Sequence, residues 1–288
     1  MKKDRQTLGL SSLTIISIVV ATALTVTFSI VIFASVYSNA LSDNAVVNAD
    51  QTVKQAAVAV DNALDSMRSQ LEEISRLIGE NGEETTLKSL IDTLVSVRKD
   101  ILAVTVYGEN GEIVFCAGGE YPLKEKIYKD LSFDKALFDA SPEFSVSAPH
   151  VQSIFEGNYP WVVTVAKRTE EAVVGNGRYV TVDFSFNPLA EYIDRVGVGQ
   201  HGYCYIADEY GHVIYHPQQQ VIFSGIKSEN ETLVAGIKQG TERENGKITA
   251  VCPTSDERWK IVGISYTDEL ERERSTQIFF SILATVCC

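Results

Sequence analysis

Between Gln6 and Ser42 the 288-residue sequence contains no Asp, Glu, Lys or Arg. Nowhere does it hold a GxxxxGK[ST] loop, an HExxH pair or a GxSxG elbow, so no phosphate-cradling, zinc-hydrolase or acyl-transfer machinery is written in this chain. Cysteine is scarce and unpaired in pattern. Of five cysteines, Cys287 and Cys288 lie in the last apolar stretch; Cys116, Cys204 and Cys252 fall in the outer part, odd in number and without CxxC spacing, so no disulfide framework is implied. Cys204 and Cys252 both fall in predicted strands, where they either bond to each other or stay as buried thiols. There are four histidines. His212 and His216 share a strand face, but four residues span about 13 Å at ~3.3 Å each, too far for one metal ion with bonds of about 2 Å. His216, just before Pro217, reads as a residue that caps backbone at a strand end. Basic charge is also short: residues 38–275 carry 22 basic against 37 acidic residues, which excludes nucleic acid as a partner.

The uncharged stretch is itself informative. Leu8–Tyr37 is long enough to cross the ~30 Å hydrocarbon layer as a helix. It is also much longer than the roughly 7–15-residue core of a cleaved signal peptide, so it reads as an anchor. Lys2, Lys3 and Arg5 precede it and Asp43 and Asp50 follow, which puts residues 1–7 in the cytoplasm and the following chain outside. Gln277–Cys288 is apolar and uncharged again. Read as the start of a second span over 276–288, it makes the protein two-pass in the cell membrane; a helix packed on the domain is the other reading.

After the first span, Val53, Ala57, Val60, Leu64, Met67, Leu71, Ile74 and Ile78 recur at spacings of four and three, with no Gly or Pro until Gly79. This predicts a stalk helix over 38–84 whose apolar stripe meets a twin helix in a homodimer, the domain's own sheet, or each along a different length. A shorter helix is expected near Thr85–Val97. Strand, turn and strand follow as Ile101–Tyr107, Gly108-Glu109-Asn110-Gly111 and Glu112–Cys116. The unit recurs as Cys204–Ala207, Asp208-Glu209-Tyr210-Gly211 and His212–Tyr215. A second echo pairs Tyr179–Phe186, leading into Asn187-Pro188-Leu189, with Trp259–Tyr266, leading into Thr267. Asn187 and Thr267 read as N-caps, with Pro188 at the first helical position. The chain is therefore α+β, with two copies of one unit at 85–200 and 201–275.

The stretch GYxYIxDxxGxxIYHP, here Gly202–Pro217, with the following Gln218–Gly225, resembles the double Cache sensor region of Gram-positive membrane sensor histidine kinases that work with AraC-type response regulators. Ser147-Ala148-Pro149-His150-Val151-Gln152 and Trp161-Val162-Val163 fit the same group. The resemblance implies two PAS-like modules in tandem, each built on a five-stranded antiparallel sheet, membrane-distal (85–200) and membrane-proximal (201–275). It also implies a small-molecule ligand or an extracellular binding protein outside, a homodimer, and a kinase domain further on that would use ATP and Mg and pass phosphate to a response regulator. No cofactor is expected in the present segment. A methyl-accepting chemotaxis receptor with the same outer region is the alternative, and a tethered binding module without signalling is a third. The Arg-x-x-Trp-Tyr motif of amino-acid-binding Cache domains has no match around Lys126–Lys129.

The first module offers Tyr128, His150, Tyr159, Trp161 and Asp183 as ligand-binding candidates: aromatic walls with a few polar anchors. Lys167 and Arg168, at a strand end, read as solvated. Asp183 is the most suggestive, because an inward carboxylate in an apolar strand needs a partner. Strand parity leaves its facing open: if Val180 and Val182 face the core, Asp183 faces out.

Overall fold

The computed structural model describes residues 10–80, 84–119, 121–125, 141, 143–199 and 201–267, with positions 276 and 279. Tyr128, the helix expected after Thr267 and nearly all of the second span lie outside the described residues.

One continuous helix, α1 (Leu10–Glu80), begins in the apolar stretch and carries on through the stalk. At 1.5 Å per residue it is roughly 107 Å long. Its first part is long and apolar enough to cross a membrane, with none of that window buried in the protein. The hydroxyls of Thr22, Thr25 and Thr27 donate to the carbonyls of Ile18, Ala21 and Ala23, so this surface leaves them satisfied without water. Further along, all eight stripe residues from Val53 to Ile78 are buried. Their partners are the protein's own sheets rather than a twin helix. The stripe is thus used up within one chain and cannot also serve as a dimer seam.

Helix α2 (Glu84–Val97) buries Leu87, Ile91 and Val95. The distal sheet follows: β1 (Ile101–Tyr107), β2 (Ile113–Gly118), β3 (Ser145–Val146), β4 (His150–Val151), β5 (Trp161–Val173) and β6 (Gly177–Ser185). Its order is β2-β1-β6-β5-β3, with β4 also on β5. The short helix α3 (Asn187–Arg195) leads into the proximal module. There β7 (Tyr203–Asp208), β8 (Val213–Tyr215), β9 (Gly240–Glu244), β10 (Lys247–Pro253) and β11 (Trp259–Tyr266) pair in the order β8-β7-β11-β10-β9. Helices α4 (Gln219–Phe223) and α5 (Glu231–Gly236) lie between β8 and β9. Apart from β4, the two sheets have the same strand order, as the internal repeat requires.

The matched turns form by matched means. Gly111 and Gly211 have φ of 82° and 89°, a left-handed conformation that costs glycine little. Each N–H donates to the carbonyl three residues back, at 3.1 Å in both. Other expectations need correction. Phe186, not Asn187, sits at the N-cap of α3, and no side chain caps that end. Lys167 and Arg168 do not end β5, which bulges and continues to Val173 because β6 keeps pairing with it as far as Gly177. Cys204 and Cys252 are free thiols. They stand on β7 and β10 with β11 between, two strand spacings of about 4.8 Å apart, beyond disulfide reach.

Both modules hang on α1. Arg243 of β9 donates to the Ser42 carbonyl and pairs with Asp43, and Ser255 donates twice to the Asp61 carboxylate. Further on, α1 packs on β5 and β6. The second module in sequence therefore sits next to the apolar segment, and the first lies farther out.

Candidate ligand-binding site

Strand β6 alternates cleanly. Val180, Val182 and Phe184 join the core under α1, while Tyr179, Thr181 and Asp183 face the other way. Register places Asp183 between Ala103 of β1 and Thr164 of β5. The residue is buried, 4% exposed. The Thr164 hydroxyl donates to Oδ1 at 2.5 Å and the Gln152 amide to Oδ2 at 2.7 Å. The Gln152 amide oxygen accepts from the Ser153 N–H, which fixes the amide's orientation. His150 Nε2 lies 3.4 Å from the Thr164 hydroxyl, with Nδ1 3.1 Å from the Ala148 carbonyl.

Both donors to Asp183 are neutral. Burial pushes its carboxyl above the ordinary carboxylate range, against the hydrogen bonds from Thr164 and Gln152 and the charge of His150. Among the described residues, no lysine or arginine pairs with it. Beside this polar centre lies an apolar patch, where Ala103, Ile154 and Phe155 pack with Leu123 and Tyr121, the last edge-on to Phe155 at 5.8 Å. Thr105 meets Cys116 Sγ at 3.5 Å on the same sheet face, and burial pushes the Cys116 thiol up to about 11, so it is not a nucleophile at neutral pH.

Of the residues singled out from the sequence, the structure brings His150 and Asp183 together. Trp161 lies elsewhere: parity puts it on the opposite face of β5 from Thr164, where it meets Phe186 at 5.0 Å and Tyr215 of the proximal module at 5.7 Å. Tyr159 is exposed on the loop before β5, with the Lys124 ammonium 5.7 Å above its ring. Gln152 and Thr164 were not singled out, because only the pairing of β5 with β6 and the course of the 147–160 segment carry them to Asp183. Among the described residues, the two largest of the clefts found lie away from this centre. One, of about 780 Å³, runs between α1 and the far end of β5; the other, of about 690 Å³, opens between the modules beside Trp161, Asp194 and Tyr215.

Two antiparallel-sheet modules on one long helix, with an enclosed carboxylate on the distal sheet face turned from that helix, define a tandem sensor domain. The chain belongs to the Cache-domain family, whose model matches residues 37–273. No curated relative matches the sequence. Similar solved structures include the ligand-binding domain of the Campylobacter jejuni chemoreceptor Tlp3 in complex with L-valine. It is 11% identical with a TM-score of 0.60, covering 81% of this chain and 97% of that one. The ligand-binding domain of the Pseudomonas fluorescens chemoreceptor CtaA in complex with L-leucine is 14% identical with a TM-score of 0.59, covering 81% and 99%. That of the Pseudomonas aeruginosa amino-acid chemoreceptor PctC in complex with GABA is 13% identical with a TM-score of 0.57, covering 74% and 96%. At these identities the likeness is one of fold.

Proposed function

We propose that this chain is the extracellular sensing and transmembrane region of a signalling receptor, and that its distal module binds a small molecule carrying an ammonium group at Asp183. The observation that carries this is the enclosed Asp183 carboxylate, held by two neutral donors beside an apolar patch. A buried carboxylate costs the fold unless a cation meets it, and a ligand's ammonium supplies one. Several structural neighbours hold amino acids or GABA, all of which bear such a group.

Binding there would bias two arrangements of the receptor, and α1, which touches both modules and runs into the apolar segment, would carry the change inward. On this reading the receptor is two-pass, acts as a homodimer, and is the input half of a two-component sensor histidine kinase with a response regulator as partner. The Gly202–Pro217 stretch supports the kinase. The chemoreceptor neighbours equally favour a methyl-accepting chemotaxis receptor, and the reading frame after codon 288 separates the two.

The ligand test is thermal unfolding of the chain against a panel of amino acids, amines, sugars and organic acids. An ammonium-bearing ligand is expected to stabilise by RT ln(1 + [L]/Kd), about 2.7 kcal/mol at 100 Kd. Asp183→Ala should abolish that shift while leaving a folded protein. A panel in which no ammonium compound moves the transition overturns the reading.

A further inference from the structure

His150, Thr164 and Asp183 form one row across β4, β5 and β6, and the protons in that row can be counted. The His150 Nδ1 lies 3.1 Å from the Ala148 carbonyl and 3.4 Å from the Ser147 hydroxyl oxygen. That hydroxyl already gives its proton to the same carbonyl at 2.9 Å, and its oxygen accepts from the Thr164 N–H. Nδ1 therefore faces only acceptors and carries a proton. On the other side of the ring, Nε2 lies 3.4 Å from the Thr164 hydroxyl oxygen, which in turn stands 2.5 Å from Asp183 Oδ1.

Thr164 owns a single hydroxyl proton, and an acceptor stands on each side of it. If the proton goes to Asp183, the carboxylate is ionised and Nε2 must bring a proton of its own to the hydroxyl oxygen, which makes the ring an imidazolium. If it goes to Nε2, the ring is neutral and Asp183 is the acid, donating to the hydroxyl. Both arrangements hold the same number of protons. The short contact to Asp183 is that of a charge-assisted bond.

The surroundings leave this proton to the pair. On the same sheet face, β1 and β2 bring Tyr107 and Cys116 toward Asp183, but burial pushes both up, Cys116 to about 11, so neither changes charge near neutral pH. Among the described residues, His150 supplies the only positive charge acting on Asp183. His150 is exposed while Asp183 is buried, so the ring is the proton's route to water.

We infer that Asp183 and His150 share one proton through the Thr164 hydroxyl, and that an ammonium ligand must expel it to bind, so that the distal module reads ligand and external pH together. The ligand step rests on the ammonium reading of Asp183; the shared proton does not. An incoming ammonium needs the carboxylate bare, and an imidazolium one hydroxyl away repels it. Both obstacles leave with the same proton. Binding then strengthens by up to about tenfold per pH unit wherever the free site holds the proton, the limit for one proton released.

The test uses the full chain in nanodiscs. The infrared carboxylic-acid band absent from Asp183→Asn belongs to Asp183 and is followed from about pH 4 to pH 9. In His150→Gln, an exposed change, the band is expected to persist to higher pH than in wild type, because the imidazolium that favours the carboxylate is gone. An unchanged midpoint overturns the inference. Thr164→Val cuts the bridge, so His150→Gln should add little in that background; a further shift of the same size would make His150 a mere nearby charge and overturn the sharing. n-Butylamine, with an ammonium for Asp183 and a chain for the patch of Ile154 and Phe155, is then titrated calorimetrically at about pH 6.5 in two buffers of different ionisation enthalpy. Release of about one proton per amine bound is expected. Binding without proton release overturns the expulsion. If the infrared shifts appear but no amine binds or raises the melting temperature, the ammonium reading fails and the shared proton stands.

Discussion

Asp183 shows what a single residue costs and what it makes available. Burial raises its carboxyl, so the folded state keeps the proton to higher pH than the unfolded chain does. Where native protein binds the extra proton, stability falls as pH rises. The ionised form therefore weakens the fold above the folded-state pKa, and the penalty fades as pH drops through it. Asp183→Asn cannot ionise. It is expected to melt above wild type at neutral pH, with a gap that narrows toward about pH 4, the ordinary carboxylate range. Melting curves across that range check it, and a gap that stays constant would show that ionisation is not the cause. From sequence, parity could put Asp183 opposite Val180 and Val182, but its two donors come from 31 and 19 residues away in the chain. No local pattern encodes Gln152 or Thr164 as its partners.

At the scale of the element, α1 is where the sequence pattern was strongest and its meaning least fixed. Spacings of four and three serve a coiled coil and a helix lying on a sheet alike, since both need one apolar stripe. The sheets decide. Val53 approaches β11 so closely that a Cβ at Gly263 would sit 2.5 Å from its Cγ1. Leu71 is fully buried, so Leu71→Ala is expected to cost about 2–5 kcal/mol in denaturant unfolding. Val58, on the outward face and 58% exposed, should tolerate alanine within roughly 0.5 kcal/mol. Equal effects at the two positions would contradict the packing of the stripe on the sheets. The hairpin turns are set mainly by a few adjacent residues, though Gly211 also lies against α5, where a Cβ would sit 2.2 Å from the Glu231 carbonyl oxygen.

At the scale of the molecule, the modules are joined by α1 and by an aromatic contact. Trp161, Phe186 and Tyr215 meet with centroids 5.0–5.7 Å apart, and the Tyr215 hydroxyl donates to Asp194 of α3 at 2.6 Å. Trp161 is therefore placed to hold the modules together. Trp161→Ala is expected to lower stability by about 2 kcal/mol, less than a fully buried tryptophan because the ring is partly exposed. Ligand affinity at Asp183 should stay within twofold of wild type, measured by titration calorimetry. A large loss of affinity with unchanged stability would instead make Trp161 part of the ligand site.

The sequence by itself determined the features that depend on local spacing: the uncharged segment, the helical stripe, the alternating strands, the glycine turns and the repetition of one unit. Each rests on interactions within a few residues or on the simple need to bury one face. Only the tertiary structure decided what covers the stripe, which thiols stay apart, that Trp161 faces away from Asp183, and that Gln152 and Thr164 become partners of a distant group. Those outcomes follow from strand register and from which sheet face α1 occupies, and both are set by packing between segments far apart in the chain.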